Sequence, residues 1–147
     1  MSVYSERVRK ALFAKLNVAG VLSSGTGLAT AVYNAKAPTG ATFPYLIFHE
    51  QAASPVQYNF GQGIADETSF WVIQGFADKN SSSTKSPQEV AETIAQNALT
   101  AIGSTLTLTG GGTVTWIGRV NDISPIESQQ GDRYVHQRGF LLRVSVE

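Results

Sequence analysis

The sequence predicts an α+β domain: two helices packed on one face of a mainly antiparallel β-sheet, with an extended hairpin. Three observations carry this. Apolar residues recur at every fourth position in two separate stretches. Runs rich in aromatic and branched residues lie between and after those stretches. The resulting order is helix, strands, helix, strands, which favours helices segregated to one face of an antiparallel sheet.

Tyr4, Val8, Leu12 and Leu16 put one apolar stripe on a helix over roughly Val3–Leu16, with Ala11 and Ala14 beside it. Glu6 in its first turn and Lys15 in its last both suit the helix dipole. Residues 17–31, with Gly20, Gly25 and Gly27, read as turn and loop, and Val32-Tyr33 as the start of a short strand. A proline-stiffened stretch, Ala37–Pro44, leads into the strand Tyr45–Glu50. Gln51–Glu67 is polar and reads as a long hairpin carrying Tyr58 and Phe60. Ser69–Phe76 is apolar on both faces, so it should be a central strand. Ser86-Pro87-Gln88-Glu89 matches a capping box with proline at the first helical position. Val90, Ile94 and Ala98 continue it as a stripe, and Gly103 is placed to stop the helix. Leu106–Thr109, Gly110–Gly112 and Thr113–Ile117 predict a second hairpin with a glycine turn. Asn121–Arg133, with Pro125 and Gly131, predicts a loop, and Tyr134–Val146 the last strand.

The 147 residues amount to about one domain, spanning 1–147, with enough chain to bury a core. There is no cysteine, which excludes disulfides, thiolate metal sites and cysteine nucleophiles. Two histidines, His49 and His136, are too few for a His-rich metal cage. Eleven bases balance eleven acids, so no global basic field draws the chain to nucleic acid. The neutrality hides a pattern. Residues 1–36 carry five bases against Glu6, a balance of +4, while residues 37–78 carry four acids and no base. These charges can neutralise each other within one chain or meet across a subunit boundary. Charged residues are only 15% of the chain, against an average of about 25%, so self-repulsion is weak and association is easy. No signal-peptide core follows the charged start. The uncharged run Thr93–Gly118 is too rich in Thr, Gly, Gln and Asn for a membrane span. A soluble cytosolic or particle-bound protein is expected.

Catalytic patterns are not found. There is no Gly-x-Ser-x-Gly elbow, and neither histidine has a nucleophile context. Asp66 and Glu67 are sequence neighbours, which on a strand point to opposite faces and suit paired acid–base work poorly. Gly110–Gly112 lacks the Gly-Lys-Ser/Thr of a phosphate loop. No calcium-loop spacing is present. The sequence therefore calls for no catalytic residue, cofactor or metal. Arg7, Arg9, Lys10 and Lys15 fall at about 0°, 200°, 300° and 80° on a helical wheel, scattered around the solvent arc rather than forming one nucleic-acid stripe.

The layout resembles the small tail-terminator, or tail-completion, proteins of long-tailed bacteriophages. The resemblance rests on the opening helix, on Ala37-Pro38-Thr39-Gly40 leading to Phe43-Pro44-Tyr45-Leu46-Ile47-Phe48, and on the polar hairpin. It continues with the aromatic strand ending at Phe76-Ala77, the capped helix Ser86–Ile102, and Gln130–Tyr134 turning into Gly139–Val144. It covers nearly the whole chain. It implies a non-enzymatic virion protein. Such a protein forms a ring, typically sixfold, that caps the tail tube, ends its growth and presents the surface that joins tail to head. The implied partners are further copies of the chain, a tail tube protein and a head-completion or neck protein. DNA would only pass through the lumen, and no membrane is involved. The implied location is the head-proximal end of the tail, with assembly in the host cytoplasm. Alternatives are another neck or head-completion connector, a tail tube protein, or a small-ligand-binding α+β domain. Within the ring reading, Arg7, Arg9 and Lys10 of one subunit are expected to approach Asp66 and Glu67 of the next. Tyr58 and Phe60 are expected to anchor a partner.

Overall fold

The computed structural model describes residues 4–53, 57–58, 65–130 and 133–147, with side chains at all of these except 52, 53, 57, 58, 65, 66 and 130. In chain order the elements are α1 (Ser5–Leu16), β1 (Val32–Asn34), β2 (Tyr45–Ala53), β3 (Gln57–Tyr58), β4 (Ala65–Ala77), α2 (Pro87–Ile102), β5 (Val114–Gln130) and β6 (Arg133–Val146). The sheet order is β1-β2-β4-β6-β5, with β3 paired to β4. Among the described strands only β1 against β2 is parallel.

Alternation assigns the two faces of the sheet. Leu46 and Phe48 of β2, Trp71 and Ile73 of β4, and Phe140, Leu142, Val144 and Val146 of β6 point one way. They form one buried cluster with Val8, Leu12 and Leu16 of α1 and with Val90, Ile94 and Ile102 of α2. Both helices therefore lie on the same face, as the two apolar stripes predicted. The strand that is apolar on both faces, β4, is central, between β2 and β6. Its other face carries Phe70, Val72, Gln74 and Phe76 beside Tyr45 and Ile47, and among the described residues no helix covers it. Beyond the β2–β4 ladder, Gln57 and Tyr58 pair with Asp66 and Ala65, so the extended hairpin continues past the body of the sheet.

Helix α2 follows its sequence signals closely. The Ser86 hydroxyl accepts the Glu89 N–H at 3.2 Å, Pro87 takes the first position, and Gly103 ends the helix at φ 65°. Ser86→Ala should cost about 1 kcal/mol of stability, read as a lower denaturant midpoint with an unchanged slope. The helix sits close to the sheet at Gly75, where an added Cβ would stand 2.6 Å from the Ala91 carbonyl oxygen and 2.9 Å from Ile94 Cβ. Gly75→Ala should therefore push α2 off β4 and cost about 1–3 kcal/mol, measurable by chemical denaturation.

Two expectations need correction. Leu106–Thr109 is not half of a hairpin. The turn at Gly110–Gly112 exists, with φ of 99°, 114° and 95° that glycine accepts freely, but Leu106–Thr109 joins no strand. Leu106 and Leu108 instead turn into the core cluster. Asn121–Arg133 is not a loop either. Strand β5 runs through it to Gln130 and pairs along its length with β6. Pro125 fits because β5 is the edge strand and the register slips between Ile123 and Ile126, so the missing N–H falls in a bulge.

Candidate interaction surfaces

The basic residues of α1 occupy two settings. Arg9, half-buried, and Lys10, exposed, lie 3.8 and 3.2 Å from Glu6, one helical turn back. Such pairs contribute only about 0.3–0.5 kcal/mol each. Arg7 is half-buried. Its Nη1 donates to the Gly111 carbonyl at 3.1 Å, and its guanidinium stands 5.5 Å from the centre of the Tyr4 ring. The glycine turn thus wraps around Arg7. Lys10 and Lys15, with Arg7, border a groove whose floor includes Ala11, Ala14 and Leu106.

The acids of the middle segment are largely used inside the chain. Glu67 is 7% exposed, and its Oε2 accepts the Tyr4 N–H at 3.3 Å. Glu50 Oε1 accepts the Ser5 hydroxyl at 3.0 Å. Both carboxylates therefore stand at the N-terminus of α1, where free amides and the helix dipole favour negative charge. Asp78 is buried, accepts from Asn80 N–H and the Ser81 hydroxyl, and lies 3.8 Å from Arg133. Glu67, expected to face a neighbouring subunit, is thus engaged within its own chain. For Asp66 the main chain is described, in its pairing with Gln57, but the side chain lies outside the described residues. The same holds for the Tyr58 side chain, and Phe60 lies outside them altogether. Of the expected site, the structure brings Arg7 and Lys10 to one groove and sets Arg9 beside Glu6.

The β5–β6 hairpin carries a surface that the sequence reading missed. Among the described residues the exposed large hydrophobic side chains are Phe13, Val18, Trp116, Val120, Ile126 and Tyr134, and the last four lie on this hairpin. Trp116 and Ile126 pair with Ser145 and Gln137, which places both on the face away from the helices. The Arg143 guanidinium stacks on Trp116 at 4.9 Å from the ring centre. A signal existed: Gly131-Asp132 is a two-residue hairpin pattern.

On the helix face, His136 is 7% exposed. Its Nδ1 lies 3.3 Å from Glu127 Oε1, close but not aligned as a hydrogen bond. Arg138 approaches the same oxygen at 3.7 Å and Glu92 at 3.8 Å. The four side chains tie β5, β6 and α2 together. A cleft of about 540 Å³ opens beside them between α2 and β5, with Arg119, Asp122 and Gln96 on its walls. On the opposite face Tyr45 packs against Tyr33, Phe43 and Phe76, and burial, then Tyr33, raises its pKa above the usual phenol value. Among the described residues no three His, Asp or Glu side chains converge as a metal site, and no helix is long and apolar enough to cross a membrane.

No protein-family model matches the chain, and no curated protein matches it by sequence. One solved structure that is similar in fold belongs to the virion of a native gene transfer agent particle. The match has a TM-score of 0.66 at 19% identity and covers 99% of each chain. The α+β architecture, helices and sheet together, is thus a fold already seen in a virus-like particle.

Proposed function

We propose that this chain is a structural protein of a phage-like particle that assembles into a ring, caps the tail tube, ends its growth and offers the surface for head–tail joining. The observation that carries the reading is the fold likeness over 99% of both chains to a component of a gene transfer agent virion. Trp116 and Ile126, exposed on the sheet face away from the helices, support it as apolar groups that a neighbouring subunit would cover. The role is non-enzymatic. Copies of the chain meet head to tail, since heterologous contacts close into rings. The ring's further partners are a tail tube protein on one side and a neck or head-completion protein on the other.

The test is the mass of the purified protein by light scattering after size exclusion, over a range of concentration and salt. A discrete species near six times 15.7 kDa is expected, either alone or once tail tubes are added, together with tubes of fixed length. Filaments of variable length would point to a tube protein instead. A monomer that leaves tube length unregulated overturns the proposal.

A further inference from the structure

We infer that the groove between α1 and Leu106–Thr109 is a docking site for an acidic, extended segment of another protein, which adds as a β-strand beside Leu106–Thr109. Two independent observations meet there. The first is charge. The ionisable residues lining the groove, Arg7, Lys10 and Lys15, are all cationic. The nearest acid on the helix, Glu6, is engaged with Arg9 and Lys10, while Glu50 and Glu67 are held at the start of α1. Arg7 spends one donor on Gly111 and is fixed by it and by the Tyr4 ring, so its fork is held in place for a carboxylate.

The second observation is main chain. Leu106–Thr109 has the alternation of a strand: Leu106 is buried and Leu108 half-buried against the core, while Thr107 and Thr109 are exposed. Yet it belongs to no sheet, and among the described residues neither Leu106 nor Thr107 makes a main-chain to main-chain hydrogen bond. A strand-patterned segment with open amides and carbonyls is a template for another chain.

The occupant follows from these features. Nucleic acid would use the cations but leave the open amides and the floor of Ala11, Ala14 and Leu106 idle. An extended peptide with carboxylates on one side and apolar side chains on the other uses all three. The described acidic side chains of the middle segment, Glu50, Glu67 and Asp78, are committed within their own subunit, and the occupant's carboxylates are assigned to a different protein. The inference does not depend on the ring.

The test is fluorescence anisotropy with a labelled eight-residue peptide of alternating glutamate and valine, added to the full chain. Saturable binding is expected, weakened about tenfold when salt rises from about 50 to about 500 mM. Lys10→Gln with Lys15→Gln should weaken it about tenfold at an unchanged melting temperature. N-methylation of every second peptide amide should abolish binding in one of the two registers and spare it in the other. Three results overturn the inference: no saturable binding, equal binding of a lysine–valine peptide or of single-stranded DNA, or indifference to N-methylation in both registers. The oligomer mass is read separately, so a failed ring and an empty groove are distinguishable.

Discussion

Trp71→Ala should lower stability by about 3–5 kcal/mol, the largest loss expected from any single truncation in this chain. Trp71 is 1% exposed at the centre of β4, with Leu142 of β6 opposite and the Phe48 ring 6.2 Å away. Its indole Nε1 donates to the Ser69 hydroxyl at 2.8 Å, so the polar edge is satisfied within the core. Removing the ring takes away the apolar burial, opens a cavity between α1 and the sheet, and strands the buried Ser69 hydroxyl. A domain of this size has only about 5–15 kcal/mol in hand. The variant should therefore show a sharply lower urea midpoint, and an assembly defect at working temperature that follows from unfolding. Trp71→Phe should recover most of the packing while leaving Ser69 without its donor, at a cost of about 1–2 kcal/mol. An unfolding free energy for Trp71→Ala within about 1 kcal/mol of the parent would mean that the core can collapse around the loss.

What was legible in the sequence follows from how local each signal is. Helix α2 was readable because its limits are written in adjacent residues: Ser86, Pro87 and Glu89 at one end and Gly103 at the other. Strand β4 was readable because a buried central strand needs apolar residues on both sides. Strand β5 was not. It is an edge strand, its outer half is polar, and Pro125 sits in its middle, so each local sign argued for a loop. Its pairing with β6 supplies the order, and tertiary context overrides the local signs. Leu106–Thr109 misled in the opposite sense. Its alternation is real, but the leucines serve the core and among the described residues no strand lies beside it.

The interaction residues show the same division. The basic residues of α1 could be found from composition, because charge on an amphipathic helix falls on its solvent arc. Their partners could not. Glu67 is sixty-three positions from Tyr4, and only the folded sheet brings its carboxylate to the start of α1. The acidic middle segment therefore does neutralise part of the chain's head, but through the helix N-terminus rather than through Arg7, Arg9 or Lys10. Ile126 of β5 was hidden by the same misreading that hid the outer half of the strand, whereas Trp116 lies in Thr113–Ile117, which the sequence did predict as a strand.

Trp116→Ser combined with Ile126→Ser should separate assembly from folding. Both side chains are substantially exposed, at 44% and 41%, and both lie on the sheet face that no described helix covers. Truncating them costs the subunit itself little, about 0.5 kcal/mol each, plus the loss of the Arg143 stack on Trp116, worth about 0.5–1 kcal/mol at an exposed site. An aromatic residue stacked with arginine is, by contrast, the kind of group that dominates a buried interface, where truncation costs about 2 kcal/mol or more. In a closed ring that loss recurs at every subunit boundary, so a modest change in each contact becomes a large change in the fraction closed. The expected result is a variant that melts within a few degrees of the parent yet elutes as a monomer and leaves tail tubes unregulated. Val18→Ser is the control, since Val18 is comparably exposed at 37% but lies in the turn after α1, away from β5. A ring that survives the double substitution and is lost with Val18→Ser would move the subunit boundary from the hairpin to the helical side of the molecule.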